Sequence, residues 1–396
     1  MTRAWIGLSL SALVACGGSH AATSATPQGD DGGSAGDDLG DDAGTLPDGA
    51  PALHDGGMLT KDGGGTPAVD AATPIVGTTG VSVIVTPSTT LASEIVTAIT
   101  GAKKSVHMTM YILDNTKIVN ALIAQKKAGL DVEVVLNQTF PAGTTQGNPT
   151  AYANLQANGV GVVWRNGPAN TTSSAYTHEK TFILDGAQAW IMTINLDNSS
   201  FTENREYVVI DNDATDVAEA DAIFAADFSG ATTTAGNPLV VSPNNARPAL
   251  VALIDSATKT LDVEDEEFSD NNKGGVVAAI ASAASRGVAT RVILAAGTPP
   301  ATQTTAINTV KAAGAKVVVS GGGSGAGSAS SPYIHAKAIT IDCTGTACAK
   351  AFVGSENISG GSLGYNRELG VVINNATEIA KIQTAINTDY AAGTAQ

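Results

Sequence analysis

One eight-residue pattern occurs twice in this chain of 396 residues. HEKTFILD occupies residues 178–185 and HAKAITID occupies residues 335–342, so each copy reads H-x-K-x4-D. Each copy is followed by a Ser/Thr-x-Asn element and, 11 residues after that Asn, by the Glu of an Asn-Arg-Glu tripeptide. A single H-x-K-x4-D string arises easily by chance, whereas two copies with matched tails do not. The pattern therefore predicts a duplicated functional element.

Other landmarks recur at offsets of 155 to 158 residues. VIVTP ends at Pro87 and LVVSP ends at Pro243, and the string KKAGLDVEVVL in the first part matches ASRGVATRVIL in the second. The duplication therefore covers much more than the two motifs. We expect two halves with one common plan, at residues 80–236 and 237–396.

Apolar strands and helical stretches alternate within each half. Strands are expected at 105–112 and 132–136 and, in the second half, at 260–266 and 290–294, with helical stretches before and between them. This alternation predicts an α/β fold in which each half is a mixed β-sheet flanked by α-helices. Each H-x-K-x4-D copy is expected on a strand, where the period of two places its His and its Lys on one face.

The paired motif suits chemistry at a phosphodiester. Cleavage of that bond needs a nucleophile, an acid opposite the nucleophile, and cations around the phosphorus oxygens. Because the ordinary pKa of His is about 6.5, His178 and His335 can supply the nucleophile and the acid at neutral pH. Glu206 and Glu368 can each accept a hydrogen bond from the second ring nitrogen of a His and fix its tautomer. This scheme requires no metal and no other cofactor.

The groups expected to bind phosphate come from the same two copies. Lys180 and Lys337 lie in runs that are otherwise rich in apolar residues, where a buried lysine without an anionic partner is unfavourable. A phosphate group would provide that partner. The complete set predicted to surround the phosphate is Lys180, Lys337, Asn195, Asn357, Thr193 and Ser355.

From residue 80 onward the chain resembles the phospholipase D superfamily, whose two motifs of this kind lie in pseudo-symmetric halves that meet at one active site. The resemblance implies a covalent phosphohistidine intermediate on His178, with His335 as the acid and then the base; the reverse assignment stays open. It also implies a supporting place in the active site for Asp185 and Asp342. Thr193 stands where the family usually has Ser, but it keeps a hydroxyl, so we expect activity to survive.

The first residues read as an export signal. Arg3 supplies a basic start, a short apolar stretch follows at 6–14, and Leu-Val-Ala-Cys ends at Cys16. The apolar stretch is too short to span a bilayer. Leu-Val-Ala-Cys resembles the lipobox of bacterial lipoproteins, which implies cleavage after residue 15 and lipid attachment to Cys16. Such a protein would be anchored in the cell envelope, at the outer membrane; an ordinary secretory signal is the alternative.

A polar linker is predicted at 17–79. Between residues 20 and 79 it holds ten Asp, no Glu and the single base Lys61 among many Gly, Ala, Thr and Pro, so it cannot bury a core. From residue 80 onward, 27 acidic and 19 basic residues leave a net charge of about −8. Affinity for nucleic acid depends on basic surface, so this charge favours phospholipid at a membrane surface over nucleic acid as the substrate.

The expected function is therefore a phospholipase D that releases phosphatidic acid from glycerophospholipids. The alternatives are transfer to an alcohol, as in relatives of cardiolipin synthase, a metal-independent nuclease or general phosphodiesterase, and a non-enzymatic surface lipoprotein that binds phosphate-bearing ligands. Because one chain carries both motifs, a complete site does not require a dimer, and we expect a monomer.

Three smaller features complete the sequence. Cys343 and Cys348 flank Thr-Gly-Thr-Ala between two apolar runs, which predicts a hairpin tip closed by a disulfide. His107, in VHMTMYI, has no companions of the motif type and is expected to be structural. The acidic run at 264–267 is expected to be a solvated strand end near the cleft rather than a cation site.

Overall fold

The computed structural model describes residues 77–141, 147–169, 175–233, 236–297, 301–323 and 326–396. The predicted signal peptide, Cys16 and the predicted linker up to residue 76 lie outside the described residues. Within the part of the chain that the structure describes, none of the helices combines the length and the apolar character needed to cross a membrane.

The strands of the first half are β1 (Val81–Val85), β2 (Ser105–Met110), β3 (Asp131–Asn137), β4 (Gly161–Arg165), β5 (Lys180–Leu184), β6 (Gln188–Met192), β7 (Asn204–Arg205) and β8 (Tyr207–Asp211). All of them except β7 form a mixed sheet of seven strands, in the order β1-β8-β6-β5-β2-β3-β4. Its helices are α1 (Leu91–Gly101), α2 (Thr116–Lys127), α3 (Asn148–Ala157), α4 (Ser200–Glu203) and α5 (Ala214–Ser229).

The strands of the second half are β9 (Val240–Ser242), β10 (Thr260–Asp265), β11 (Ala289–Ala296), β12 (Lys316–Gly323), β13 (Tyr333–Ile334), β14 (Lys337–Ile341), β15 (Lys350–Gly354), β16 (Glu368–Ile373) and β17 (Thr394–Ala395). All of them except β13 form a sheet of eight strands, in the order β17-β12-β11-β10-β14-β15-β16-β9; β13 pairs with β7 of the first half. Its helices are α6 (Ala246–Asp255), α7 (Val276–Ser285), α8 (Ala301–Ala312), α9 (Gly360–Gly364) and α10 (Ala376–Ala392).

The two sheets follow one plan. In the first sheet β2, β3 and β4 run parallel and the remaining pairings are antiparallel. In the second sheet β10, β11 and β12 run parallel, and β10, β14, β15, β16 and β9 pair antiparallel in the corresponding order. The predicted α/β class with two similar halves is therefore confirmed.

Apolar side chains form one core between the sheets and one on the far side of each. On the far side of the first sheet, α1 buries Leu91, Ile95 and Ile99, which recur every four residues on one helix face. Helices α6, α7 and α8 supply the corresponding core of the second sheet. Between the sheets, strand residues of both halves pack together with α5 and α10. The halves therefore meet through the inner faces of their sheets.

The backbones of the two halves also pair at the motif histidines. Strand β13 runs parallel to β7, and the N–H of His335 donates to the carbonyl of Arg205 at 3.3 Å. At the equivalent position of the first motif, Thr177 forms a parallel bridge with Arg367, and the N–H of His178 donates to the carbonyl of Arg367 at 3.0 Å. Each motif histidine is therefore held by the backbone of the opposite half.

These contacts change the predicted position of the motif. Strands β5 and β14 begin at Lys180 and Lys337, so His178 and His335 precede the strands instead of lying on them. The physical reason is that the peptide groups before each lysine bond across the halves rather than to a neighbouring strand of their own sheet. The expectation that each whole motif lies on a strand is therefore wrong for the histidines.

Two buried ion pairs reinforce the contact between the halves. Arg367 of the second half binds Asp227 on α5 through Nε and Nη2, at 2.6 and 3.2 Å. Arg205 of the first half binds Asp389 on α10 in the same bidentate way, at 2.5 and 3.1 Å. The arginine of each Asn-Arg-Glu tripeptide therefore ties its own half to the last helix of the other.

Candidate active site

Each motif histidine is paired with a carboxylate of the opposite half. Nδ1 of His178 lies 3.0 and 2.9 Å from the two carboxylate oxygens of Glu368. Nδ1 of His335 lies 2.7 Å from Oε1 of Glu206. Because an ionised carboxylate can only accept, both contacts place a proton on Nδ1 and direct Nε2 to the reacting group. All four side chains are almost fully buried.

Hydroxyl groups hold these two carboxylates in place. Thr193 donates to Oε2 of Glu206 at 2.5 Å, and Ser355 donates to Oε2 of Glu368 at 2.6 Å. The same hydroxyl oxygens accept the backbone N–H groups of residues 207 and 369. Thr193 and Ser355 therefore use their hydroxyl groups to hold the glutamates, and their contact with phosphate stays a prediction. Thr in place of Ser keeps this hydroxyl contact.

The charge of Glu206 is stabilised by its neighbours. Burial by itself raises the pKa of this carboxyl, but the charges of His335 and Lys337 and the hydrogen bonds from His335 and Thr193 outweigh burial, so the pKa lies below its ordinary value. Glu206 is therefore a carboxylate at neutral pH. This is the state that an oriented, proton-bearing His335 needs.

The two motif lysines occupy equivalent buried positions. Nζ of Lys180 donates to the carbonyl of His178, and Nζ of Lys337 donates to the carbonyl of His335, each at 2.8 Å. Both ammonium groups therefore lie beside the histidine of their own motif. Each motif thus places a buried cation and a buried imidazole side by side, where the backbones of the two halves pair.

The predicted asparagines lie at the same end of the sheets as the histidines. In the antiparallel pairing of β5 with β6, Thr181 faces Ile191, so the chain that follows β6 returns to the end where β5 begins. Asn195 lies in this segment and is buried. Asn357 is buried at the corresponding place after β15, and its backbone N–H donates to the hydroxyl of Ser362 at 2.9 Å.

The halves differ at one position that faces the histidines. Met110 pairs with Lys180 and Asp265 pairs with Lys337, so the residues that follow, Tyr111 and Glu266, are equivalent. The ring of Tyr111 lies 4.6 Å from the ring of His178 and 5.0 Å from Nζ of Lys180.

Glu266 makes polar contacts at the equivalent place in the second half. Its Oε2 lies 2.9 Å from Nζ of Lys337 and 3.4 Å from Nε2 of His335, while its Oε1 accepts the hydroxyl of Tyr333 at 2.6 Å. An aromatic ring in one half thus corresponds to a buried carboxylate in the other.

The two motif aspartates lie at the opposite end of β5 and β14. Each has a left-handed backbone, with φ of 59° at Asp185 and 54° at Asp342. The Asp185 carboxylate accepts the N–H groups of residues 103–105, and that of Asp342 accepts those of residues 258–260. Desolvation raises the pKa of both carboxyls, but these N–H groups outweigh it and lower the pKa. Both residues fix a turn, which corrects their expected place in the active site.

The family model described as "Cardiolipin synthase, PLD-like domain" matches residues 95–228 and 250–390, more than half of the chain, with one segment in each half. The chain belongs to this phospholipase D-like family. Membership makes the protein an enzyme of the phosphodiesterase or phosphatidyltransferase type within the phospholipase D superfamily. No curated protein sequence matches the chain.

Two solved structures share the fold of this phospholipase D-like protein. Phosphatidylserine synthase from Haemophilus influenzae Rd KW20 is 12% identical over 82% of this chain and 90% of that chain, with a TM-score of 0.59. Polyphosphate kinase from Porphyromonas gingivalis is 15% identical over 78% of this chain and 46% of that chain, with a TM-score of 0.58. The phospholipase D-like protein thus spans about half the length of the kinase. At these identities the likeness shows the fold alone.

Sequence reasoning missed the acidic residues at the end of β10. The run at 264–267 was expected to be solvated, but Glu264, Asp265 and Glu266 are buried. Burial raises the pKa of the Glu264 carboxyl to about 8, and this carboxyl accepts the hydroxyl of Tyr207 at 2.6 Å. The repeat itself could have indicated this burial, because the offset between the halves aligns Glu266 with Tyr111, whose ring lies against His178 in the structure.

The remaining sequence predictions fall outside this cluster. The sulfurs of Cys343 and Cys348 are joined in the structure, at the turn between β14 and β15. His107 stacks on Phe224 with 4.7 Å between ring centroids, and its Nδ1 lies 2.6 Å from Asp221. Ligand atoms of His107, Asp131 and Glu133 lie within 4.8 Å of one another, the one such grouping among the described residues that could hold a metal ion.

Proposed function

We propose that this phospholipase D-like protein hydrolyses glycerophospholipids to phosphatidic acid and a free headgroup through a phosphohistidine intermediate. The observation that carries the proposal is the pair of cross-half contacts, His178 with Glu368 and His335 with Glu206. In each contact the glutamate of one half fixes the tautomer of an imidazole of the other half. In-line displacement at phosphorus needs a nucleophile and an acid.

In the first step, Nε2 of His178 attacks phosphorus. A nitrogen–phosphorus bond forms and the bond from phosphorus to the headgroup oxygen breaks, while His335 gives its Nε2 proton to the leaving oxygen. Lys180 and Lys337 neutralise the charge on the remaining phosphorus oxygens. The product of this step is a phosphatidyl group on His178 and a free headgroup alcohol.

In the second step, water reverses these roles. His335 takes a proton from the attacking water, the new oxygen–phosphorus bond forms, and the bond between His178 and phosphorus breaks to release phosphatidic acid. An alcohol in place of water yields a new phosphodiester by the same step. Transfer is therefore the second candidate reaction, and the name cardiolipin synthase in the matching family description favours including it in the test.

The choice of a lipid substrate rests on charge and on the first residues of the chain. From residue 80 onward the net charge is about −8, which disfavours an extended nucleic-acid groove. An exported protein with a lipid on Cys16 would lie beside phospholipid. We therefore propose a monomeric enzyme of the bacterial cell envelope that acts on lipid at the membrane surface, with a secreted form as the alternative.

The test is phosphatidic acid release by the full chain from phosphatidylcholine and phosphatidylethanolamine vesicles in EDTA, with and without glycerol. Release that disappears in His178→Ala and persists in the matched control His107→Ala would support the proposal. Phosphatidylglycerol formed in the presence of glycerol would favour transfer. A folded wild type that leaves both lipids intact but cleaves a single-stranded oligonucleotide would replace the lipid proposal with the nuclease alternative.

A further inference from the structure

We propose that Glu266 is a positioning residue that keeps a proton on Nε2 of His335 and thereby makes the second-half histidine the acid of the reaction. This inference rests on the proposed function, because it assigns the two histidines of that site their separate roles. It starts from a position at which the two halves differ, Tyr111 in one and Glu266 in the other.

The contacts of Glu266 fix the orientation of its carboxylate. Tyr333 donates to Oε1 at 2.6 Å, and the Lys337 ammonium donates to Oε2 at 2.9 Å. Both carboxylate oxygens of Glu266 therefore accept a hydrogen bond. Its Oε2 then faces Nε2 of His335 at 3.4 Å, a distance of ionic contact somewhat longer than an ideal hydrogen bond.

Carboxylates at both ring nitrogens favour the doubly protonated imidazole. Oε1 of Glu206 lies 2.7 Å from Nδ1 of His335, and Oε2 of Glu266 lies 3.4 Å from its Nε2. Since ionised carboxylates can only accept, the arrangement that satisfies both has a proton on each nitrogen. The charged groups in contact with His335 include Glu206 beside β7, Glu266 after β10 and Lys337 on β14, whose ammonium binds the backbone carbonyl of His335; Tyr333 on β13 donates its hydroxyl to Glu266.

The first half offers a different surface at the equivalent position. The ring of Tyr111 lies edge-on to His178 at 4.6 Å. An aromatic ring does not stabilise an extra positive charge on the imidazole as a carboxylate does. Because Glu266 stabilises a proton on Nε2 of His335, this nitrogen holds the proton that the leaving group needs and is blocked as a nucleophile. His178 is then the histidine that bonds to phosphorus.

The Nε2 proton of His335 is needed most by a poor leaving group. In the first step the Nε2 proton moves from His335 to the departing oxygen, and in the second step water returns a proton to Nε2. Glu266 itself forms and breaks no covalent bond. A headgroup alkoxide needs this proton, whereas p-nitrophenolate departs without it. Loss of Glu266 should therefore slow the cleavage of phospholipids much more than the cleavage of activated esters.

The experiment compares the full-length wild type with Glu266→Gln and with the neighbouring control Glu267→Gln. The substrates are phosphatidylcholine and bis(p-nitrophenyl) phosphate. For Glu266→Gln we expect kcat on phosphatidylcholine to fall by roughly 10²-fold and kcat on the nitrophenyl ester to change by less than about tenfold. The alkaline limb of kcat/KM should move to lower pH, because the protonated form of His335 loses a stabilising charge. Glu266→Asp, which keeps the charge, should recover part of the lost activity.

An equal loss on both substrates with an unmoved pH profile would overturn the proposal and leave Glu266 a structural residue. A nitrogen-15 histidine NMR spectrum provides a readout without any substrate. The chain holds 5 histidines, so the signal of His335 can be assigned by its disappearance in His335→Gln. Two protonated ring nitrogens on His335 in the wild type near neutral pH, and one in Glu266→Gln, would support the inference. If the wild type cleaves neither substrate, that result contradicts the proposed function but leaves this NMR result standing. A singly protonated His335 in the wild type contradicts it.

Discussion

In the first half, the residue after β2 is Tyr111, whose ring lies against His178; in the second half, the residue after β10 is Glu266, whose carboxylate lies against His335. The contacts at Nδ1 of the two histidines, by contrast, are alike. Each histidine has the opposite half's glutamate at Nδ1. Groups that orient the histidines are thus alike in both halves, whereas a residue facing the reacting nitrogens differs. Duplication supplied a symmetric frame, and one asymmetric contact can give its two imidazoles different tasks.

A second comparison, between α5 and α10, shows why the frame stays symmetric. Asp227 on α5 and Asp389 on α10 each bind the arginine of the opposite Asn-Arg-Glu tripeptide. A change that shifts either arginine also moves the glutamate next to it, and with it a histidine of the other half. The symmetric contacts are therefore coupled to the geometry of the whole site.

The largest effect should come from the two histidines, and it should separate them. His178→Ala and His335→Ala should each lower the rate on phosphatidylcholine by about 10³–10⁴-fold. With bis(p-nitrophenyl) phosphate, His335→Ala should still form the covalent adduct, because the leaving group needs no proton, and should hydrolyse it slowly. Intact-mass spectrometry after rapid mixing would detect the nitrophenyl phosphate on the protein. His178→Ala should show no adduct.

The opposite pattern, with an adduct in His178→Ala and none in His335→Ala, would exchange the roles of the two halves. His107→Ala serves as the matched control, since His107 stacks on Phe224 outside the motif cluster. Its adduct level should equal that of the wild type.

The next effect concerns stability and tests the symmetry of the frame. Arg367→Met leaves Asp227 buried without its partner, and we expect the free energy of unfolding to fall by about 3–5 kcal/mol. Arg205→Met should lower the free energy of unfolding by a similar amount, because Asp389 loses the same bidentate contact. Urea denaturation of both variants measures the difference. A mild effect in one half and a severe effect in the other would show that the two pairs are not equivalent.

Replacing the glutamates that orient the histidines should have a smaller effect on folding than on rate. Glu206→Gln and Glu368→Gln keep the shape of the side chain and a hydrogen-bond acceptor but remove the charge. We expect kcat to fall by roughly 10²-fold in each, with little change in KM. Glu206→Gln should also accumulate the phosphohistidine, because it weakens the base of the second step, whereas Glu368→Gln should slow its formation.

Pre-steady-state kinetics with the nitrophenyl ester would separate these two outcomes. A burst of nitrophenolate is expected for Glu206→Gln and a reduced burst rate for Glu368→Gln. Identical transients in the two variants would mean that the cross-half pairs do not serve separate steps.

The alternation of apolar strands and helical stretches was enough to predict the α/β class, and the repeated landmarks were enough to predict two halves with one plan. The duplicated motif also suggested that each glutamate binds a histidine. It did not show that Glu368 binds His178, since these residues are 190 positions apart and only packing of the halves brings them together. Burial of Glu266 was missed because a run of carboxylates ordinarily reads as solvated. Its partners, Lys337, His335 and Tyr333, lie about 70 residues away in the chain.

The motif aspartates show the converse error. Asp185 and Asp342 share a motif with the histidines, and that proximity in sequence suggested a place in the active site. Each motif lysine begins a strand of five residues, and the motif aspartate comes directly after the last residue of that strand. The carboxylates therefore lie at the end of the strand opposite to the lysine. Sequence distance along a strand, unlike distance along a loop, is distance in space.

The smallest expected effect therefore belongs to these aspartates and falls on stability rather than on rate. Asp185→Ala and Asp342→Ala each leave backbone N–H groups without an acceptor, which should cost about 1–3 kcal/mol, near the lower value because the carboxylates are partly exposed. The pKa of both carboxyls is lowered in the folded protein, so their contribution is present above the unfolded pKa of about 3.9 and is lost as the pH falls through the lower folded value. The difference in Tm between wild type and either variant should thus be full at pH 7 and shrink below pH ~4.

Asn variants, which tolerate a left-handed backbone and keep one acceptor oxygen, should have a Tm between those of the wild type and the Ala variants. A loss of kcat in Asp185→Asn at unchanged Tm would return that aspartate to the active site and break the division between frame and chemistry.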